Sequence, residues 1–131
     1  VGKLPAEFIH KDELVTAFLD IQPITDGHVL VIPNKKAASL DELKPEYGER
    51  MFNIAQKVAL ALKNTSLACE GINFFLADGQ AAGQTVFHLH LHVFPRFEGD
   101  GFGWNLPNRY YSPPEPKVLS RHCEEIKKQM K

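Results

Sequence analysis

Apolar residues in this chain gather in five short runs, and most of these runs end at turn-forming residues. The first three runs are residues 6–10, 14–19 and 28–32, and the other two are residues 72–77 and 86–94. Short runs rich in β-branched and aromatic residues, bounded by Gly, Pro, Asn or Asp, are typical of β-strands. The pattern therefore predicts five strands.

Two further segments repeat their apolar residues every three or four positions, which is the period of a helix. In residues 46–63 these positions are Met51, Ile54, Ala55, Val58, Ala59 and Leu62. Pro45 suits the first turn of this helix, and Ser39 with Glu42 predicts a short capped helix before it. Residues 117–131 predict a C-terminal helix, and residues 95–116, rich in Pro, Gly and aromatic residues, predict an extended loop.

Strands and helices in this mixed order predict an α+β fold. We expect an antiparallel sheet of about five strands, one long helix lying across it and a C-terminal helix. A chain of 131 residues is large enough to bury one core, so we expect a single domain over residues 1–131.

Composition and charge argue against several classes of function. The net charge is −1, and no run of Lys or Arg indicates a nucleic-acid backbone or an anionic membrane as partner. No apolar run approaches the ~18 residues of a membrane span, and the first residues do not resemble a signal peptide. Cys69 and Cys123 are far apart in the sequence, which favours free thiols over a disulfide. We therefore expect a cytoplasmic protein that binds neither membranes nor nucleic acids.

Three histidines, His88, His90 and His92, alternate with Leu89 and Leu91. On a β-strand all three imidazoles would point to the same face of the sheet. Imidazole can donate or accept a hydrogen bond, bind a metal or attack an electrophile near neutral pH. The triplet alone therefore leaves three uses open: a metal site, nucleophilic catalysis, or a polar sheet face without chemistry.

The residues before the triplet favour nucleophilic catalysis. Residues 79–85 form a loop of small residues whose backbone N–H groups can hold an anion such as phosphate. Gln84 and Thr85 end this loop, where their side chains can donate hydrogen bonds to phosphate oxygens. No Cys-x-x-Cys or His-x-x-x-Asp spacing accompanies the histidines, and three positions in a line suit a tetrahedral ion poorly. We expect neither a bound metal nor a cofactor.

The sequence around the triplet resembles the signature of the histidine-triad (HIT) family of nucleotide hydrolases and transferases. Residues 83–96 read Gly-Gln-Thr-Val-Phe-His-Leu-His-Leu-His-Val-Phe-Pro-Arg. Residues 18–23 and 27–33 resemble the nucleoside-binding half of the same family, so the resemblance covers most of residues 4–97. It implies a homodimer in which two sheets join across a two-fold axis.

The resemblance also implies a mechanism. The middle histidine, His90, would attack the α-phosphorus of a purine nucleotide and form a covalent nucleotidyl intermediate, which water then hydrolyses. The backbone carbonyl of His88 would orient the His90 ring. His92 would bind the phosphate and help to protonate the leaving group, and His28 would support the other histidines.

The substrate-binding residues follow from the same resemblance. Asp20 matches the position that holds the ribose hydroxyls, and a carboxylate can accept hydrogen bonds from both hydroxyls of a diol. Ile21 would line the base pocket. Gln84 and Thr85 would bind the phosphate.

Two positions distinguish this chain within the family. His92 stands where the transferases that use sugar phosphates have Gln, which favours hydrolysis over transfer. Ala77 stands where many relatives carry Asn, so one phosphate or ribose contact is expected to be absent or replaced. The expected substrates are purine nucleoside phosphoramidates or dinucleoside polyphosphates. The alternatives are a nucleotide-binding or scaffold protein with little turnover, and a His-rich metal-binding module.

Overall fold

A computed structural model describes residues 6–130 of the chain. Its strands are β1 (Phe8–Lys11), β2 (Val15–Leu19), β3 (Val29–Pro33), β4 (Gly71–Phe75) and β5 (Leu91–Arg96). They form one five-stranded sheet in the order β1-β2-β3-β5-β4, and every neighbouring pair is antiparallel. The predicted α+β fold with a five-stranded antiparallel sheet is confirmed.

The long helix α1 (Pro45–Leu62) packs across one face of this sheet, as its periodicity predicts. Its apolar side and the facing strand residues form the core, which consists of Val15, Ala17, Val29, Val31, Met51, Ile54, Ala55, Val58, Leu62 and Val93. Side chains alternate between the two faces of a strand. Because Val93 faces the core under α1, its neighbours His92 and Phe94 point to the opposite face of the sheet.

The C-terminal helix α2 (Pro116–Gln129) follows a loop that is shorter than predicted, because residues 95 and 96 belong to β5. None of the residues of α2 is buried. The short helix predicted after Ser39 is a 3₁₀ turn, Leu40–Glu42, and Ser39 does not cap it. Across the described residues 6–130, no helix combines the length and the apolar character that a bilayer crossing requires.

The strand predicted over residues 86–94 is wrong in its first half. β5 begins at Leu91, so His88 and His90 precede the strand and only His92 lies on it. The three imidazoles therefore do not line one strand face. Their positions are set by separate contacts in the segment that leads into β5.

Pro33 explains why β5 does not start earlier. Val31 pairs with Leu91 in the ladder between β3 and β5. Two residues further along β3, Pro33 has no N–H to donate. Its carbonyl oxygen instead accepts a hydrogen bond from Nε2 of His88 at 2.9 Å. The N–H of Leu89 donates to a carbonyl in the loop after β3 at 2.8 Å, so the chain leaves the ladder here.

Candidate active site

His28 and His92 meet on the face of the sheet opposite α1. They are 64 residues apart in sequence, and Nε2 of His28 lies 2.8 Å from Nδ1 of His92. His28 directly precedes β3 and is 1% exposed, while His92 lies on β5 opposite Leu30. The pairing of β3 with β5 therefore brings the two rings together.

One backbone group determines which nitrogens of these two rings carry protons. The N–H of Ile24 donates to Nδ1 of His28 at 3.0 Å, so this nitrogen keeps its lone pair and the neutral ring carries its proton on Nε2. That proton is donated to Nδ1 of His92. The neutral His92 ring must then carry its own proton on Nε2. His92 is in this way held as a hydrogen-bond donor through Nε2.

His90 has the opposite arrangement. Its Nδ1–H donates to the carbonyl oxygen of His88 at 2.8 Å, which leaves Nε2 with an unprotonated lone pair. The rings of His90 and His92 are 4.8 Å apart between centroids. The ring of His88 is turned away and donates through Nε2 to Pro33. A potential nucleophile therefore lies beside a hydrogen-bond donor, and His88 contributes through its backbone.

Burial keeps the two meeting histidines neutral. It lowers the pKa of His92 to about 4, and the positive charges that His90 and His28 would carry when protonated lower it further, while Asp20 opposes the shift. Burial also lowers the pKa of His28, again opposed by Asp20, whose Oδ2 lies 3.8 Å from Nε2 of His28. Both rings are therefore uncharged at neutral pH.

Gln84 holds the loop before the histidines in shape. The residue is 2% exposed, and its Oε1 accepts a hydrogen bond from the N–H of Gly79 at 2.7 Å. Its Nε2 donates to the carbonyl oxygens of Ala38 at 2.8 Å and Val86 at 3.2 Å. Because the amide is fully used inside the protein, the geometry does not support the predicted phosphate contact for Gln84.

A pocket of about 350 Å³ opens beside the histidines. Such a volume falls within the usual range for small-molecule sites. Its lining combines polar groups with aromatic rings and consists of Ile24, Phe75, Gly83, Thr85, His90, His92, Phe94, Phe102 and Trp104. Thr85 and His90 thus line the same pocket.

The two residues predicted to bind the nucleoside lie close to His28 in the sequence and outside this lining. Asp20 follows β2, and its Oδ1 accepts a hydrogen bond from the N–H of Gln22 at 2.9 Å. Its second carboxylate oxygen faces His28. Ile21 is 62% exposed, so its side chain is available to an incoming ligand.

One group of side chains has the composition of a metal site. Single ligand atoms of Asp20, His28 and His92 all lie within 4.8 Å of one another. The nitrogens of His28 and His92 already point at each other in a 2.8 Å hydrogen bond. A cation would have to replace that bond and its proton, so the arrangement fits a His28–His92 hydrogen bond beside a carboxylate better than a coordination sphere.

The sequence prediction of the site did not include the four aromatic rings of the pocket, Phe75, Phe94, Phe102 and Trp104. Phe75 and Phe94 lie in apolar runs that predict strands, so nothing in the sequence distinguishes them from core residues. Phe102 and Trp104 belong to the loop over residues 95–116, whose aromatic content alone does not indicate a contact with the histidines. Only the path of the chain after β5 shows that these two rings reach the pocket.

The turn before the Gly-rich loop contains Ala77, at the position where the resemblance implies Asn in many relatives. Ala77 is 6% exposed and offers only a methyl group at this position. Next to it, Oδ2 of Asp78 accepts a hydrogen bond from the N–H of Leu40 at 3.2 Å. The carboxylate therefore links this turn to the 3₁₀ turn before α1.

Comparison with known proteins identifies the family. The model of the HIT domain matches residues 1–99. An uncharacterized HIT-like protein of Borreliella burgdorferi is 45% identical over 108 residues, which cover 82% of this chain and 78% of that protein. The adenosine 5′-monophosphoramidase of Schizosaccharomyces pombe is 35% identical over 133 residues, covering 99% of this chain and 92% of that protein.

Solved structures agree with the sequence relatives. The crystal structure of a HIT family member from Bacillus subtilis superposes with a TM-score of 0.87 at 34% identity. The match covers 99% of this chain and 92% of that chain. The resemblance read from the histidine triplet is confirmed, and this chain belongs to the HIT family.

Proposed function

We propose that this protein hydrolyses purine nucleoside phosphoramidates or dinucleoside polyphosphates at the α-phosphorus through a nucleotidyl-His90 intermediate. The observation that carries the proposal is the 2.8 Å hydrogen bond from Nδ1–H of His90 to the carbonyl of His88. It leaves the lone pair of Nε2 available in a residue that lines the pocket. The phosphoramidase name of the Schizosaccharomyces pombe relative supports this class of substrate.

In the first step, Nε2 of His90 forms a bond to phosphorus, and the bond from phosphorus to the leaving nitrogen or oxygen breaks. Nδ1 keeps its proton, so the nucleotidylated ring carries a positive charge. The carbonyl oxygen of His88 accepts a hydrogen bond from that Nδ1–H and stabilises the charge. A leaving nitrogen needs one proton at this stage, whereas a leaving phosphate oxygen can depart as an anion.

We assign the supply of that proton to His92. In the free protein its pKa is about 4, so its Nε2–H donates a hydrogen bond but the ring has no extra proton to give. A bound phosphate carries negative charge, which favours the imidazolium and raises the pKa of a neighbouring histidine. A proton taken up together with the substrate can then pass from His92 to the leaving group.

Other residues bind and orient the substrate. The hydroxyl of Thr85 donates to a phosphate oxygen, and Gly83 exposes backbone at the same pocket. Asp20 accepts hydrogen bonds from the ribose hydroxyls, and the exposed Ile21 packs against the base. In the second step, water attacks phosphorus and loses a proton to His92, or to solvent where His92 has kept its own proton. The bond from phosphorus to Nε2 of His90 breaks, Nε2 regains its lone pair, and nucleoside monophosphate leaves.

A substrate panel with nucleophile variants tests this proposal. Wild-type protein should hydrolyse adenosine 5′-phosphoramidate or a diadenosine polyphosphate, and His90→Ala should lower kcat by about 10³-fold or more. In His90→Gly, added imidazole should restore part of the rate, because it can occupy the vacated space. His122→Ala changes an exposed histidine of α2 and serves as the control.

Two results would contradict the proposal. If wild-type protein leaves both substrates intact, the hydrolase function is wrong, and the nucleotide-binding alternative gains support. If His90→Ala keeps the full rate, hydrolysis does not pass through His90.

We also propose that two copies pair through the edge formed by β4. This strand ends the sheet and has no partner on its outer side among the described residues. Phe52 of α1 stacks edge-on against Phe74 of β4, with centroids 5.5 Å apart, yet remains 57% exposed. An unpaired strand edge beside an exposed aromatic ring is suited to pairing with a second copy.

A further inference from the structure

Six aromatic side chains form a closed ring at the pocket. Going around this circle, the side chains are His92, His28, Phe94, Phe102, Trp104 and Phe75, and Phe75 contacts His92 again. The centroids of neighbouring aromatic rings are 5.0 to 6.0 Å apart. Phe102 and Trp104 come from the loop after β5, and Trp104 is 57% exposed. Phe102 is half-buried and packs edge-on against Phe94, which is 1% exposed, so Trp104 is the more open of the two rings.

An ion pair at the end of β5 holds the loop that carries them. Nε of Arg96 donates to Asp100 at 2.7 Å, and Nη2 donates to its other carboxylate oxygen at 3.0 Å. The same Nη2 donates to the carbonyl of Phe102 at 2.6 Å, and Nη1 donates to Asn73 of β4 at 2.7 Å. Asp100 also accepts hydrogen bonds from the N–H groups of Phe97 and Phe102. The guanidinium thereby connects the sheet to the aromatic loop.

The turn around Asp100 is built for this contact. Gly99 and Gly101 flank the aspartate, both with φ of +84°, a conformation that favours glycine. The side chain of Asp100 is 3% exposed, and the hydrogen bonds from Arg96 hold the pKa of its carboxyl well below the usual range. The guanidinium also lies 5.0 Å from the ring centroid of Phe102. The pair stays charged and connected across the working pH range.

We propose that Arg96 and Asp100 are positioning residues that set leaving-group selectivity, by holding Phe102 and Trp104 as the wall that receives a planar, uncharged aromatic leaving group. This inference rests on the proposed hydrolase function. The leaving group departs on the side of phosphorus opposite His90, within a pocket that His90 and the aromatic wall share. Aromatic rings bind flat apolar rings by stacking and edge contacts. Among the described lining residues none is acidic, so a cationic group would find no counter-charge there.

Three substrates that share the adenosine α-phosphate distinguish an effect on leaving-group selectivity from an effect on hydrolysis of every substrate. Unsubstituted adenosine phosphoramidate has a small leaving group, the N-benzyl derivative a planar ring, and the N-cyclohexylmethyl derivative a saturated ring of similar size. We expect Arg96→Lys and Asp100→Asn to lower kcat/KM for the N-benzyl substrate about tenfold or more, mainly through KM. The unsubstituted substrate should change less than about twofold, and the saturated ring should show an intermediate loss.

Two further variants keep the test decisive. Trp104→Ala removes part of the wall without touching the ion pair, and it should reproduce the selective loss even if an Arg96 variant folds poorly. Arg50→Lys alters a comparable ion pair, in which Nη2 of Arg50 lies 2.8 Å from Asp12, and should change none of the three rates.

The proposed selectivity would be overturned if kcat/KM fell equally for all three substrates. It would also be overturned if kcat/KM for the N-benzyl substrate did not fall in Arg96→Lys, or did not fall in Trp104→Ala. Both results would leave the hydrolase function intact. Absence of turnover of every substrate by wild-type protein would overturn the proposed function, and this inference with it.

Discussion

At the scale of single residues, the backbone N–H of Ile24 determines the protonation pattern of two histidines. By occupying Nδ1 of His28 it directs one proton toward His92 and leaves the His92 donor pointing out of the pair. In the free protein, an imidazolium at His92 would set its Nδ1–H against the Nε2–H of His28. The hydrogen-bond pattern and the burial therefore both favour neutral rings.

Protonation of His92 should consequently oppose folding. Its pKa falls from 6.5 to about 4 on folding, so between these values the unfolded chain binds more protons than the native protein. The contribution of the neutral His92 ring to the free energy of unfolding is fully present above about pH 6.5 and is lost as the pH falls toward 4. The lowered pKa of His28 acts in the same direction. Urea unfolding of wild type and His92→Gln at about pH 7 and about pH 5 should show a smaller acid loss in the variant.

The exposed His122 provides the matched control for this measurement. His122→Gln should keep the pH slope of wild type. If His92→Gln also keeps the wild-type slope, the buried ring does not contribute to the acid sensitivity.

The sequence predicts some residue roles better than others. The His88 carbonyl was expected to orient His90, and the structure places the two groups in contact. Gln84 was expected to bind phosphate because an amide beside a Gly-rich loop has the right donors. In the structure its amide contacts Gly79, Ala38 and Val86, and the contact with Ala38 depends on how the loop after β3 folds back. A one-dimensional pattern does not contain that distance.

At the scale of elements, the loop over residues 79–90 depends on Gln84. Gln84→Ala would leave the N–H of Gly79 and two carbonyls without their partner in a place with little access for water. We expect a loss of about 2 kcal/mol or more in the free energy of unfolding, measured by chemical denaturation. Gln84→Glu keeps the acceptor for Gly79 but sets a carboxylate oxygen against the carbonyl of Ala38, so it should cost at least as much.

The nearby Gln80 is exposed, and Gln80→Ala should change stability by less than about 0.5 kcal/mol. Equal effects of Gln80→Ala and Gln84→Ala would show that the buried amide has no special role in the loop.

Element boundaries show where local patterns stop being sufficient. The five strands and α1 were predictable because alternation and helical periodicity are properties of neighbouring residues. The start of β5 was not, because it depends on Pro33 in a strand more than fifty residues earlier, whose missing N–H ends the ladder. Because β5 starts only at Leu91, His90 lies outside the strand. Its Nδ1–H donates to the backbone carbonyl of His88, two positions earlier.

At the scale of the whole molecule, the proposed pairing through β4 can be tested without disturbing the active site. Phe52→Asp places a charge on the exposed side of α1 next to this edge, and the desolvation of that charge would oppose association. We expect the variant to sediment as a monomer at concentrations where wild type is a dimer. Lys57→Glu changes the charge on another exposed position of α1 and should leave the dimer intact.

A wild-type monomer would rule out the pairing, and a dimer that survives Phe52→Asp would place the interface elsewhere. The exposed apolar residues of α2, such as Leu119 and Ile126, would then be the next surface to test.

The position of Trp104 has one more consequence. It is the only tryptophan of the chain, it stands in the wall of the pocket, and it is 57% exposed to solvent. Its fluorescence therefore comes from a single known place, and an aromatic leaving group that stacks there will alter both its intensity and its emission maximum. The protein carries its own optical reporter, with which occupancy of the pocket can be followed in the His90→Ala variant, where we expect no bond to be broken.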